Sequence, residues 1–250
     1  MTGADSAGQP WAGRSFTPNE HAADDGRADP ALLEALRRFI AHEVGETEVV
    51  DALRGARLLI PLLAALGESA VGEHGHLVDK SQELSIVTVA GPDGRTVLPA
   101  FTSVETMGRW NPTARPVPAE AVRVALAAAS EQTELVVLDP GSDTEFVVRR
   151  PAVWAIARGE AWSPSHSDEM VLAEFMRAVE PEPAVVTVRL APGDPAARLA
   201  GPELVVRLAV ADGLERDEVR ALTARLQDRI RASAVIAERV DSMRLQVVTA

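Results

Sequence analysis

Apolar positions along the 250-residue chain fall into short runs whose spacing changes from helical to alternating and back. Asp29-Pro30 supplies an N-cap followed by proline at the first helical position, and Leu32, Leu33, Leu36, Phe39 and Ile40 then share one stripe. A second helix is expected through Val49, Val50 and Leu53, and the run from Arg57 to Leu66 reads as a buried strand, although its alanines and leucines would suit a helix almost as well. Residues 67–82, GESAVGEHGHLVDKSQ, are polar and glycine-rich and read as a loop. Leu84, Ile86, Thr88 and Ala90 alternate as one strand, Gly-Pro-Asp-Gly at 91–94 turns the chain, and Thr96 to Phe101 returns. Thr102 with Glu105 fits a capping box opening a helix on which Val104 and Met107 share a face, with Trp110 before the Asn111-Pro112 stop.

Pro118 predicts the start of a helix carrying Val122, Ala125, Leu126 and Ala129. Glu134 to Leu138 reads as a strand, 139–143 (DPGSD) as a turn, and Glu145 to Val148 as the antiparallel partner. Val153, Trp154, Ile156 and Ala157 suggest a closing helix. From Gly159 to Pro183 the composition shifts to Pro, Ser and acidic residues around a helix with Val171, Leu172, Phe175 and Met176. Beyond it lie a strand with Val186, Val188 and Leu190 facing one way, a strand with Val206, Leu208 and Val210, a helix with Val219, Leu222, Leu226 and Ile230, and a last strand with Met243, Leu245 and Val247. The expected fold class is α+β with α/β-type layers: a mixed sheet domain with flanking helices, plus a smaller β-β-α-β module. The expected boundaries are a disordered acidic tail over 1–29, a domain over 30–160, a linker with a helix over 161–183 and the module over 184–250.

Composition narrows the chemistry. Hydrophobic residues make up 46% of the chain, ample for a core, and the formal charge is −12, which repels a phosphate backbone at long range and makes nucleic acid a poor default partner. Lys80 is the one lysine, and the sequence has no cysteine, which removes thiolate chemistry, disulfides and cysteine-ligated zinc. The N-terminal residues show no basic stretch followed by an apolar one, and the run at 58–66 is broken by Pro61 and too short for a bilayer. The expectation is a soluble cytoplasmic protein that does not engage a membrane.

Candidate chemical groups are sparse. His74 and His76 with Asp79 make an HxH loop that could hold a metal if a third ligand converged, against the alternative of a solvated loop. His42 and His166 would need to meet Ser81, Ser103 or Ser142 for nucleophilic catalysis, and no GxSxG or SxxK pattern is present. No GxGxxG or Walker A loop occurs, so no cofactor is implied. Arg216, Arg220, Arg225, Arg229 and Arg231 lie on one C-terminal helix, interleaved with acids, where RNA docking competes with simple solvation. Trp110 and Trp154 sit on apolar helical faces, whereas Trp162 lies in a Ser/Pro-rich stretch.

The run LPAFTS at 98–103, Trp110 in the next helix, LVVLDP at 135–140 and AVWAIA at 152–157 together resemble the SseB-like family, named for enhanced serine sensitivity. The resemblance covers most of the chain beyond residue 56. It implies an α/β domain with no established enzymatic activity, and hence a non-catalytic interaction or regulatory protein with a protein partner. It is densest at Phe101, Thr102, Ser103, Glu105 and Trp110, the expected binding surface. Asp139 departs from the family pattern, which has Asn before that Pro; both residues open turns. A metal-dependent or small-molecule enzyme using His74 and His76 is the alternative function, and docking of RNA or a ribonucleoprotein through the arginine helix is a further one.

Overall fold

The computed structural model describes residues 24–64, 84–130, 133 and 135–250. Among them eight helices and ten strands alternate in an α+β fold. The elements are α1 (Pro30–Ile40), α2 (Glu46–Arg54), β1 (Arg57–Ala64), β2 (Leu84–Ile86), β3 (Val89–Ala90), β4 (Thr96–Ala100), α3 (Val104–Trp110), β5 (Arg115–Glu120), α4 (Ala121–Ser130), β6 (Val136–Leu138), β7 (Phe146–Val148) and α5 (Arg150–Arg158). The C-terminal part comprises α6 (Glu169–Val179), β8 (Val185–Pro192), β9 (Leu204–Val210), α7 (Arg216–Arg231), α8 (Ala234–Arg239) and β10 (Met243–Thr249). No helix among the described residues is long and apolar enough to cross a membrane.

The Asp29 carboxylate accepts from the amides of Ala31 and Leu32, with Pro30 at N1, so α1 starts where its cap predicts. The helix buries Leu32, Ala35, Leu36 and Phe39, leaving Ile40 exposed. Contact with the body begins earlier than this cap: the Arg57 guanidinium donates to Asp24 at 2.9 Å, and the Val104 amide donates to the Gly26 carbonyl at 2.8 Å.

Two small sheets form the N-terminal half. One has the order β2-β1-β5, all antiparallel; the other has the order β3-β4-β6-β7, with β4 and β6 parallel. They meet at a single bridge between Leu59 and Phe101. The alternating run at 84–90 is therefore not one strand: it breaks after Ile86, pairs first with β1, and then pairs with β4 across the Gly91–Gly94 turn. Gly94, at φ +83°, supplies the left-handed residue of that turn.

Pro118 does not begin a helix. Pro116 and Pro118 hold Arg115 and Val117 extended, and the segment becomes an edge strand, where missing proline N–H groups are tolerated. With α4 beginning at Ala121, the buried stripe becomes Ala121, Val124, Ala125 and Ala128, and Leu126 faces solvent at 53% exposure. The main core gathers α1, α2, α4 and α5 against the sheets, with Phe39 set edge-on to Phe146 at 5.1 Å. Trp162 also packs against this core.

The helix expected within a linker, α6, belongs to the C-terminal core, where Val171, Phe175 and Ala178 pack with Leu204, Val206, Leu208 and Val210 of β9 and Leu222, Leu226 and Ile230 of α7. The sheet order is β10-β9-β8, with β9 and β10 parallel. A bulge between Val185 and Thr187 pushes Val186 outward, so Val185, Val188 and Leu190 are the residues of β8 that pack inward.

Candidate functional site

Two features stand out: the seam between the N-terminal sheets, where LPAFTS turns into α3, and the open face of the C-terminal sheet.

At the seam, Leu59 and Phe101 exchange backbone hydrogen bonds of 2.8 and 2.9 Å. Phe101 is wholly buried against Leu59 and Met107 and lies 5.2 Å from the Trp110 ring. Thr102 is buried too, but it is not the helix cap. Its amide donates to Asp139 Oδ1 at 2.8 Å and its hydroxyl to Asp139 Oδ2 at 2.7 Å. The cap moves one residue on, to Ser103, whose Oγ accepts from the Thr106 amide, with Thr106 rather than Glu105 as the reciprocal partner. Glu105, freed from capping, is exposed and ion-paired with Arg109.

Asp139 is the hub of this corner. It is 0% exposed, sits at φ +45°, and accepts additionally from Thr106 Oγ1 at 2.8 Å and Thr144 Oγ1 at 2.9 Å. One carboxylate thus joins the end of β4, the start of α3 and the turn after β6. Its acceptor sites are filled by neutral protein donors, and the arrangement fixes geometry rather than exposing a reactive group. Of the expected surface, Phe101 and Thr102 are interior, Ser103 and Trp110 are half-buried, and Glu105 is at the surface.

His74, His76 and Asp79 lie outside the described residues. Among the described residues no three His, Asp or Glu side chains are grouped to hold a metal. His42 and His166 line one cleft of about 360 Å³ with Glu46, and neither Ser103 nor Ser142 lines it. Burial lowers the His166 pKa. Glu46 is pushed up to about 7 by burial, with the Glu203 carboxylate adding to the effect.

Behind Glu46 a buried cluster fastens the two halves. Arg149 donates to Asp194 at 2.7 Å, to Asp241 at 3.0 Å and to the Gly201 carbonyl at 2.9 Å. Arg95 Nη1 donates to both carboxylate oxygens of Asp241, at 2.9 and 3.0 Å. These hydrogen bonds hold Asp241 below the usual carboxylate range against its burial, whereas burial raises Glu203.

Four of the five arginines of α7 are paired with acids, and Arg216 at its start makes no ion pair among the described residues. Arg225 and Arg229 both bind Glu182, Arg220 binds Asp217, and Arg231 binds Asp228. Their pairing holds Glu182 down to about 2. A different set of arginines makes no ion pair among the described residues: Arg189 of β8, Arg207 of β9 and Arg244 of β10, all exposed. They stand on the sheet face away from the helices. Strand alternation was the signal for them, since each arginine follows or precedes an inward-facing residue by one position.

A seam of two small sheets closed by helices, with its corner tied to one buried carboxylate, is the domain this half of the chain builds. The SseB protein N-terminal domain family matches residues 32–155, and this domain of the chain belongs to the SseB-like family. No curated protein and no solved structure matches the chain.

Proposed function

We propose that the protein is a non-catalytic interaction or regulatory protein that works in the cytoplasm by binding another protein. The observation that carries this reading is the outer face of α6. Val171, Phe175 and Ala178 anchor the helix to the core, while Leu172 and Met176, one turn apart, are 40% and 52% exposed. Apolar side chains held on a rigid, well-anchored helix fit a docking surface, and methionine adapts to the shape of a partner. The buried polar groups support the same reading, because Asp139, Arg149, Asp194 and Asp241 are engaged in holding the fold together.

The corner is a second contact on the N-terminal domain, with Glu105 and Trp110 as the residues that reach its surface. The test is purification from the native cytoplasm of the wild-type chain, a Leu172→Asp/Met176→Asp variant and a Trp110→Ala variant, each first shown to unfold cooperatively. A partner lost with the first variant supports the α6 face, and loss with Trp110→Ala supports the corner. Equal recovery with both variants overturns the assignment of these surfaces. Metal measured at stoichiometric levels in the purified wild-type chain, lost on His74→Ala/His76→Ala, would favour the enzyme reading instead.

A further inference from the structure

The open face of the C-terminal sheet is a second interaction surface with a different chemistry. The register sets its residues in rows across β8, β9 and β10: Ala191, Val205 and Arg244; then Arg189, Arg207 and Gln246; then Thr187, Ala209 and Val248. Arg189 and Arg207 are direct cross-strand neighbours, and Arg244 stands diagonally from Arg207. Like charges directly opposite on a sheet repel and destabilise it. No acid occupies any of the nine positions, although the chain holds 37 acidic residues against 25 basic ones. Glu203, the acid at the head of β9, is buried and accepts from the Asp241 amide at 2.5 Å. The three guanidinium groups form no ion pair among the described residues, in contrast to Arg220, Arg225, Arg229 and Arg231 of α7.

We infer that this face binds an extended acidic segment of a protein partner, whose carboxylates sit on Arg189, Arg207 and Arg244. Three features select that occupant. Guanidinium forks match carboxylates in two-pronged geometry. Neighbouring strands lie about 4.8 Å apart and alternate residues of one strand about 6.7 Å apart, so the bases of Arg189 and Arg207 are about 4.8 Å apart and those of Arg207 and Arg244 about 8 Å, distances that bracket the same-face repeat of an extended chain and that long arginine side chains can adjust to. The nine positions contain no aromatic ring on which a base could stack, and the net charge of −12 opposes a long phosphate backbone, so single-stranded nucleic acid fits less well.

This surface is separate from the α6 face and can succeed or fail independently of it. The test uses the full chain and a fluorescent ten-residue peptide of alternating Glu and Ser, with a ten-nucleotide single-stranded RNA as competitor probe, by anisotropy at 50 and 200 mM salt. The Arg189→Gln/Arg207→Gln/Arg244→Gln variant is compared with Arg216→Gln/Arg220→Gln/Arg231→Gln, which has the same net charge. Peptide binding weakened at least tenfold by the first substitution set, and by less than twofold by the second, is the expected result. Absence of peptide binding to the wild type, equal losses with both sets, or tighter binding of the RNA would each overturn the inference. Should the triple variant lose its fold, Arg207→Gln alone is expected to weaken the peptide at least threefold, and unchanged binding there would also overturn it.

Discussion

Replacing Asp139 with alanine removes four acceptor contacts at once, and the consequence depends on where the donors are left. Thr102 is 1% exposed, so its amide and its hydroxyl both lose their partner with no water to replace it, at about 1–3 kcal/mol each. Thr106 and Thr144 are half-buried and can turn their hydroxyls to solvent at smaller cost. Alanine at φ +45° adds about 1 kcal/mol of backbone strain that Asp and Asn tolerate better. The expected loss is about 4 kcal/mol, a large part of the 5–15 kcal/mol typical of a whole domain. Asp139→Asn keeps one carbonyl oxygen for the Thr102 amide and presents its NH₂ to hydroxyls that can rotate to accept, so its cost is about 1 kcal/mol. Thr102→Val keeps the amide and loses the hydroxyl, with about 1–2 kcal/mol expected. Urea unfolding followed by circular dichroism, at constant m, reads all three. Asp139→Ala costing under 1 kcal/mol, or Asp139→Asn costing as much as Asp139→Ala, would refute the reading of this carboxylate as the hub of the corner.

Glu46, pushed up to about 7 from 4.5, gives stability that is complete below pH 4.5 and lost as the pH rises through 7. Partial exposure reduces this contribution to about 1–2 kcal/mol. Glu46→Gln should flatten the unfolding midpoint between pH 5 and 8, and a variant with the wild-type slope would assign the effect elsewhere. Gly193 allows a close approach: a Cβ there would lie 2.2 Å from the Pro202 carbonyl oxygen, so Gly193→Ala should cost at least 2 kcal/mol. Gly108, in helix α3, has open space where a Cβ would point, so Gly108→Ala should instead gain about 0.5–1 kcal/mol, and equal thermal shifts for the two would count against the packing seen at Gly193. Leu172→Asp/Met176→Asp should leave the thermal midpoint within about 2 °C of wild type, since both side chains are exposed; a larger fall would show that α6 needs them for packing.

The legible parts of the fold were those governed by local chemistry. The Asp29-Pro30 cap, the strands at 136–138 and 146–148 and the stripe Leu222, Leu226 and Ile230 follow from capping, alternation and helical spacing. The misread parts turned on partners distant in sequence. Thr102 looked like a cap because Glu105 lay three residues on, but the hydroxyl had a buried carboxylate 37 residues away, and Ser103 could cap in its place. Pro118 suits a helix start as well as it suits an edge strand, and pairing with Leu59 of β1 decided between them. Helix α6 read as part of a linker because its flanks are polar, and its stripe gave no sign of which core it would join.

Arginine illustrates how far composition falls short of function. The same side chain serves three purposes here. Arg149 is buried and joins the two halves through Asp194 and Asp241, where loss of one partner leaves charges stranded. Arg225 and Arg229 are neutralised on Glu182 and fix α7 against the segment after α6. Arg189, Arg207 and Arg244 face outward with like charge beside like charge, a placement that carries a local cost, which a bound anion would relieve. On the inference drawn above, an anionic partner is to be sought on the strands with one arginine each, since four of the five arginines on the helix that is richest in them are already paired with acids.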